Sequence, residues 1–73
     1  MNMNDKQLKF CVFIINQIAQ VSQKPTAVAY QLLSMSGVLD DYIIGCYDTL
    51  HTLGREYLVE DVIGLLGDRG VFI

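Results

Sequence analysis

The chain has 73 residues, of which 52% are hydrophobic and 18% charged, with a single proline. Disordered chains are poor in apolar residues and rich in charge and proline, so this composition predicts a single folded domain over residues 1–73. A domain this small buries only about 60% of its unfolded surface, so apolar side chains stay exposed on an isolated monomer. We therefore expect a homo-oligomer or a stable complex with a protein partner.

The net charge of the chain is −3, and its basic residues are dispersed along the sequence. They are Lys6, Lys9, Lys24, Arg55 and Arg69. A nucleic-acid binder neutralises several phosphates with clustered cations, so this pattern disfavours binding to nucleic acid. The longest apolar run, residues 10–15, is shorter than the about 20 residues that span a bilayer, and no signal-peptide pattern is present. We expect a cytoplasmic protein with no membrane partner.

The residues that bind metals or form disulfides are scarce. The chain has two cysteines, Cys11 and Cys46, and one histidine, His51. Both cysteines lie in apolar helical patterns, so we expect two reduced thiols buried in the core. No spacing typical of a zinc site and no glycine-rich phosphate loop occurs, and the sequence therefore predicts neither a metal nor a cofactor.

The first predicted helix covers residues 5–22, with Asn4 as its N-cap. Its apolar residues cover more than half of the helical wheel, whereas a helix of a small bundle usually needs a stripe of only about 100°. Phe13 projects from the middle of the polar side, where a core within one chain would not reach. We therefore expect this helix to contact two sets of neighbours. The candidate interface residues are Phe10, Phe13, Ile14, Gln17 and Val21.

The second predicted helix covers residues 25–36, because proline fits the first position of a helix and Gly37 suits the left-handed conformation that ends one. Its apolar face is predicted to bury Val28, Ala29, Leu32 and Met35. Tyr30 lies off this face and is a candidate surface contact.

The third predicted helix covers residues 40–53, with Asp40 as its cap and Gly54 at its end. Its buried side is predicted to consist of Tyr42, Ile43, Cys46, Tyr47, Leu50 and Leu53. A fourth helix covers residues 59–68, and residues 57–59 are either extended or an apolar lead into it. Docking and disorder are equally compatible with the apolar residues 71–73. The predicted fold is an all-α compact bundle of about four helices.

Two further functions have some support in the sequence. Asp48 and His51 are neighbours at i, i+3 on a helix, and a carboxylate beside an imidazole is typical of acid–base catalysis. No activated nucleophile accompanies them, so we expect no enzyme and keep catalysis by this pair as an alternative. Helices two and three also resemble a helix-turn-helix regulator. The would-be recognition helix, however, begins with Asp40 and Asp41 and has no basic residue before Arg55.

A resemblance to a known family rests on residues 37–39 and on residues 47–62, which contain the pattern Tyr-Asp-x-Leu-His-Thr-x-Gly. These segments resemble a family of short bacterial proteins, domain of unknown function 3791, and a looser similarity covers most of the chain. The resemblance implies a small, stand-alone helical protein of bacteria with no established activity. Members of that family are often encoded beside a domain that looks like an ADP-ribosyltransferase, which implies an accessory or antitoxin-like role beside such an enzyme.

The resemblance also marks the signature positions, which surround the junction of the third and fourth predicted helices. They are Tyr47, Asp48, His51, Thr52, Gly54, Tyr57 and Asp61. We expect them to form a structural clasp, because polar and aromatic side chains at a glycine-ended helix can tie a turn together. The sequence therefore predicts a protein–protein interaction module that acts as a homodimer or with a partner enzyme.

Overall fold

The computed structural model describes residues 4–73, of which 76% are helical and none lies in a strand. The all-α prediction is confirmed. The elements are α1 (Asp5–Ser22), α2 (Thr26–Met35), a π-helix (Leu39–Ile44), α3 (Tyr47–Leu50) and α4 (Arg55–Asp68). The radius of gyration of 11.1 Å is close to the about 11 Å expected of a compact domain of this length.

The long helix α1 begins and ends as its sequence predicts. The side chain of Asn4 accepts a hydrogen bond from the backbone N–H of Gln7 at 2.8 Å, and the Gln7 side chain accepts one from the Asn4 backbone. This reciprocal capping box satisfies two backbone donors at the start of the helix. The helix ends at Gln23, whose left-handed backbone (φ 58°) turns the chain toward α2.

The core is built around α1, which packs against α2, α4 and the π-helix. Ile14 and Ile18 are fully buried at the centre of these contacts. Helices α2 and α4 contribute residues such as Leu33 and Leu66, which are also fully buried. The full set of buried residues is Cys11, Ile14, Ile15, Ile18, Ala19, Ala29, Leu33, Val38, Leu39, Ile43, Leu50, Leu58, Val59, Val62 and Leu66.

The buried face of α2 differs from the predicted one. Ala29 is buried as predicted, but the second buried residue is Leu33, and Met35 is 85% exposed. Val28 is also exposed, and Leu32 is half-buried. Ala29 and Leu33 are one turn apart and form a narrow line, so this ten-residue helix meets the core along a single line rather than a broad face.

The third predicted helix is interrupted. In place of one α-helix over residues 40–53, the chain forms the π-helix, a turn at Gly45 and Cys46, and the four-residue α3. Cys46 and Leu53 are therefore exposed rather than buried, while Ile43 and Leu50 are buried as predicted. The prediction failed because propensity and apolar spacing do not report a change of helix type.

Helix α4 begins at Arg55, four residues earlier than predicted. Gly54 has an extended backbone (φ −70°, ψ 153°) and is the N-cap of α4, so it does not end the preceding helix as predicted. Its carbonyl accepts a hydrogen bond from the Leu58 N–H at 3.1 Å. Residues 57–59 are consequently helical, and Leu58 and Val59 enter the core. The acidic Glu56 lies in the first turn, where it favours the positive end of the helix dipole.

The end of the chain folds back onto the body. Arg69 donates to the Ser36 carbonyl at 2.8 Å and pairs with the Asp41 carboxylate at 3.2 Å, so the end of α4 is tied to the α2–π-helix junction. Val71 and Ile73 pack against the core, which supports docking of the terminus, whereas the Phe72 side chain remains exposed.

The change in the α2 face predicts the effect of two substitutions. Leu33→Ala should lower the free energy of unfolding by about 2–5 kcal/mol, because it opens a cavity in the core. Met35→Ala should change it by about 0.5 kcal/mol or less, because the side chain is largely solvated. Urea unfolding followed by circular dichroism measures both values. A larger loss for Met35→Ala would contradict the described α2 packing.

Candidate functional site

A groove of about 530 Å³ lies between α1, α2 and the π-helix. We call it the α1–α2 groove. Its rim carries three large side chains that are about half exposed: Leu8 (50%), Val12 (48%) and Tyr30 (49%). The complete lining consists of Leu8, Cys11, Val12, Ile15, Tyr30, Ser34, Leu39, Asp40 and Ile44. The groove is therefore apolar, with polar groups on the α2 and π-helix side.

The groove follows from the wide apolar arc of α1. Cys11 and Ile15 face the core and form the floor, while Leu8 and Val12 lie one turn apart at the edge of the same arc. The neighbouring elements cover the centre of the arc but leave this edge uncovered. Apolar side chains grouped at such an edge are typical of contact surfaces.

Two ionisable groups meet in the groove. Burial raises the pKa of the Cys11 thiol, and the negative charge of Asp40 raises it further. The thiol therefore stays protonated and is a poor nucleophile. Within residues 4–73 the one ion pair joins Arg69 to Asp41, so Asp40 has no ion-pair partner in this part of the chain. The groove thus carries a negative charge that a positively charged group of another molecule can meet.

Two signature residues, Tyr47 in α3 and His51 at its C-cap, form an aromatic stack. The rings of Tyr47 and His51 are stacked with centroids 4.6 Å apart, and Phe10 of α1 meets Tyr47 edge-on at 5.4 Å. The Nδ1 atom of His51 lies 2.8 Å from the Tyr47 carbonyl. Asp48 forms no hydrogen bond or ion pair with His51, although the sequence spacing suggested one. The two residues therefore do not form an acid–base pair in this structure.

The other signature residues are spread along the chain. Thr52 donates to the Thr49 carbonyl at 2.8 Å, and Gly54 caps α4. Asp61 accepts a hydrogen bond from the Tyr42 hydroxyl, which links α4 to the π-helix. Tyr57 is exposed. The signature residues thus make local contacts in two places, around α3 and between Asp61 and the π-helix. Their role as a structural clasp stays a prediction.

The predicted interface residues on α1 divide into three groups. Phe13 and Val21 are exposed, and Gln17 is half-buried beside a shallower groove of about 340 Å³ between α1 and α4. Phe10 is half-buried against the core. Ile14 is 1% exposed, so it belongs to the core and no partner can reach it. The prediction that α1 contacts two sets of neighbours does not say which of its residues lie in the core and which lie on its exposed flanks.

Sequence reasoning did not identify the α1–α2 groove. Leu8 and Val12 belong to the wide apolar arc of α1, and a helical wheel does not show where the neighbouring helices leave that arc uncovered. Tyr30 is a predicted surface contact, but the sequence does not show that the fold places it across a groove from α1. The available signal was the width of the apolar arc, which exceeds what one bundle helix needs.

Two other kinds of site have no support in the described residues. Residues 4–73 contain no group of three or more histidine, cysteine, aspartate or glutamate side chains placed to hold a metal ion. Within the same span, no helix combines the length and the hydropathy needed to cross a membrane.

The comparison with protein families agrees with the resemblance. The family model described as "Protein of unknown function (DUF3791)" matches residues 9–69. This span includes α2, the π-helix and α3, most of α1 and all of α4. No curated protein and no solved structure matches the chain.

The two cysteines are expected to differ in reactivity. Cys46 is exposed, whereas Cys11 is buried with a raised pKa. Iodoacetamide at about pH 8 should modify Cys46 at least about tenfold faster, because burial blocks the reagent and also lowers the thiolate fraction of Cys11. Mass spectrometry of the modified peptides measures both rates, and Cys46→Ser isolates the slow one. Equal rates would contradict the buried position of Cys11.

Proposed function

The chain belongs to the DUF3791 family of proteins of unknown function, and we propose that it is a protein–protein interaction module that assembles as a homodimer. The proposed contact is the α1–α2 groove, occupied by the edge of α1 from a second copy. The observation that carries the proposal is the pair of exposed apolar residues, Leu8 and Val12, at the rim of an apolar groove.

The apolar rim gives the driving force for association. Leu8, Val12 and Tyr30 each leave about half of their surface in water. Removing apolar surface from water contributes about 25 cal/mol per Å². In a two-fold dimer every such residue is buried twice, once in each copy. One small patch therefore contributes to association from both sides.

The shape of this surface suits a second copy. Leu8 and Val12 form a ridge on α1, and the groove beside them is bounded by Tyr30 on α2 and by the π-helix. A two-fold interface requires a patch that complements itself. Here the ridge of each copy can enter the groove of the other, as in ridge-into-groove packing of helices.

The charges favour the same occupant. Asp40 is exposed in the groove and has no ion-pair partner within the described residues. Helix α1 carries the exposed Lys9 three residues before Val12, and residues three apart are neighbours on a helix surface. When the α1 ridge of one copy lies in the groove of the other, Lys9 supplies the positive charge that Asp40 lacks. The chain thus contains both halves of the proposed contact.

The alternative functions have less support. Asp48 and His51 are both exposed, and neither lines the α1–α2 groove. Nucleic-acid binding would require a basic face, but the net charge is −3, and Arg69 is already paired with Asp41. An apolar contact with a second copy needs neither feature.

The dimer predicts opposite effects for two glutamate substitutions on α1. The parent should have twice the 8.2 kDa mass of one chain. Leu8→Glu should lower the mass toward that of one chain, because it places a charge in the apolar contact. Phe13→Glu, on the other flank of α1, should leave the dimer intact and is the matched control. Light scattering on a sizing column measures the mass.

Two results would contradict the proposed dimer contact. A parent that remains monomeric at high protein concentration would overturn the homodimer. Dissociation by Phe13→Glu with an intact Leu8→Glu dimer would move the interface to the other flank of α1.

The proposed pair of Lys9 and Asp40 can be tested separately. Asp40→Lys and Lys9→Asp should each weaken the dimer about three- to tenfold, because each replaces an attraction with a repulsion at the rim. The double variant should recover most of the loss. Lys24→Asp makes the same charge change beyond the end of α1, at a residue that does not line the α1–α2 groove, and should have little effect. Sedimentation equilibrium gives the constants, and losses that simply add in the double variant would exclude the pair.

A further inference from the structure

The π-helix Leu39–Ile44 forms one wall of the α1–α2 groove and contributes Leu39, Asp40 and Ile44 to its lining. π-Helices are rare, and short π segments occur frequently at functional sites. The sequence pattern predicts an α-helix from Asp40 onward, over all of this segment except Leu39. Its tertiary contacts must therefore favour the π geometry over the α geometry.

The wider turn of a π-helix places residues four apart almost directly above one another, because its hydrogen bonds join residues five apart. Leu39 and Ile43 are both buried, and we call them the core pair. Asp40 and Ile44 both line the groove, and we call them the groove pair. In an α-helix, the second residue of each pair would be rotated by about 40° around the axis. Residues four apart share one side of an α-helix as well, so the π geometry sets the angle at which Ile43 and Ile44 project and not the side of the helix on which they lie.

Gly45 ends the π-helix at a place where no side chain fits. Its N–H donates to the Asp40 carbonyl at 3.1 Å, which is the bond that closes the wide turn. A Cβ atom at this position would lie 2.7 Å from the carbonyl oxygen of Asp41 and 3.2 Å from that of Asp40. Both are backbone atoms, so neither can rotate away. Alanine would also favour the α geometry, since it is the best helix former.

We infer that Gly45 is a positioning residue for dimerisation, because it keeps the π-helix in the register that brings the groove pair to the interface. The inference rests on the proposed homodimer. It concerns the residue that shapes the contact surface, whereas the proposed function concerns the association itself.

The test compares Gly45→Ala with Gly64→Ala. Gly64 is the matched control, because a Cβ atom there meets nothing within 4 Å. Gly45→Ala should raise the dissociation constant of the dimer at least about tenfold while its circular dichroism stays helical. Gly64→Ala should retain the parent constant. A dimeric parent with an unchanged constant in Gly45→Ala would overturn this inference and leave the homodimer standing, whereas a monomeric parent would overturn the homodimer.

A second readout reports the groove wall without the dimer. Cys11 lies in the groove beside Asp40, so its alkylation rate depends on the position of the π-helix that forms the groove wall. In a Leu8→Glu, Cys46→Ser background, Gly45→Ala should raise that rate and Gly64→Ala should not. A weakened dimer with an unchanged Cys11 rate would show that Gly45 does not act through the groove wall.

A third variant covers the case in which Gly45→Ala does not fold. Ile44→Ala keeps Gly45 and truncates one side chain of the groove pair. It should raise the dissociation constant as well. An unchanged constant in this variant would overturn the inference.

Discussion

The structure depends on the burial of one side of α1 by three other elements. Ile14 and Ile18 lie where α2, α4 and the π-helix meet, and both are fully buried. A helix enclosed from several directions needs a wider apolar arc than one that packs on a single neighbour. The capping box at Asn4 and the left-handed Gln23 fix the two ends of α1, so the directions of the later elements follow from it.

The same wide arc explains why two apolar flanks remain on α1, and the structure distinguishes them. Leu8 and Val12 border a groove whose floor is apolar, whereas Val21 borders a groove that contains Val59 but is otherwise lined by glutamine, arginine and glutamate side chains. A flank that continues into an apolar floor gains more from a covering partner than one surrounded by solvated polar groups. The interface on α1 stays a prediction from composition, and the choice between its flanks depends on the positions of the neighbouring helices.

The sequence predicts an element correctly where residues next to each other in the chain specify its start or end. Asn4 and Pro25 mark helix starts through their own backbone chemistry, and both starts were predicted to within one residue. Residues 40–53 were predicted as one helix because their apolar spacing allows it, but core contacts on both sides of the turn at Cys46 divide them. Gly54 was assigned to a helix end, since a glycine suits either an end or a start and only the following chain decides.

The π-helix is held from more than one side, and this accounts for its persistence against the α-helical preference of its sequence. The Tyr42 hydroxyl donates to Asp61 of α4, and Asp41 pairs with Arg69, which directly follows α4. Neither Tyr42 nor Asp41 lines the groove. Exposed pairs of this kind contribute only about 0–1 kcal/mol each. The larger constraint is the burial of the core pair, which the polar contacts supplement. With the core pair and the α4 side both engaged, the groove pair is left facing outward, so the packing that completes the fold also forms the wall of the proposed interface.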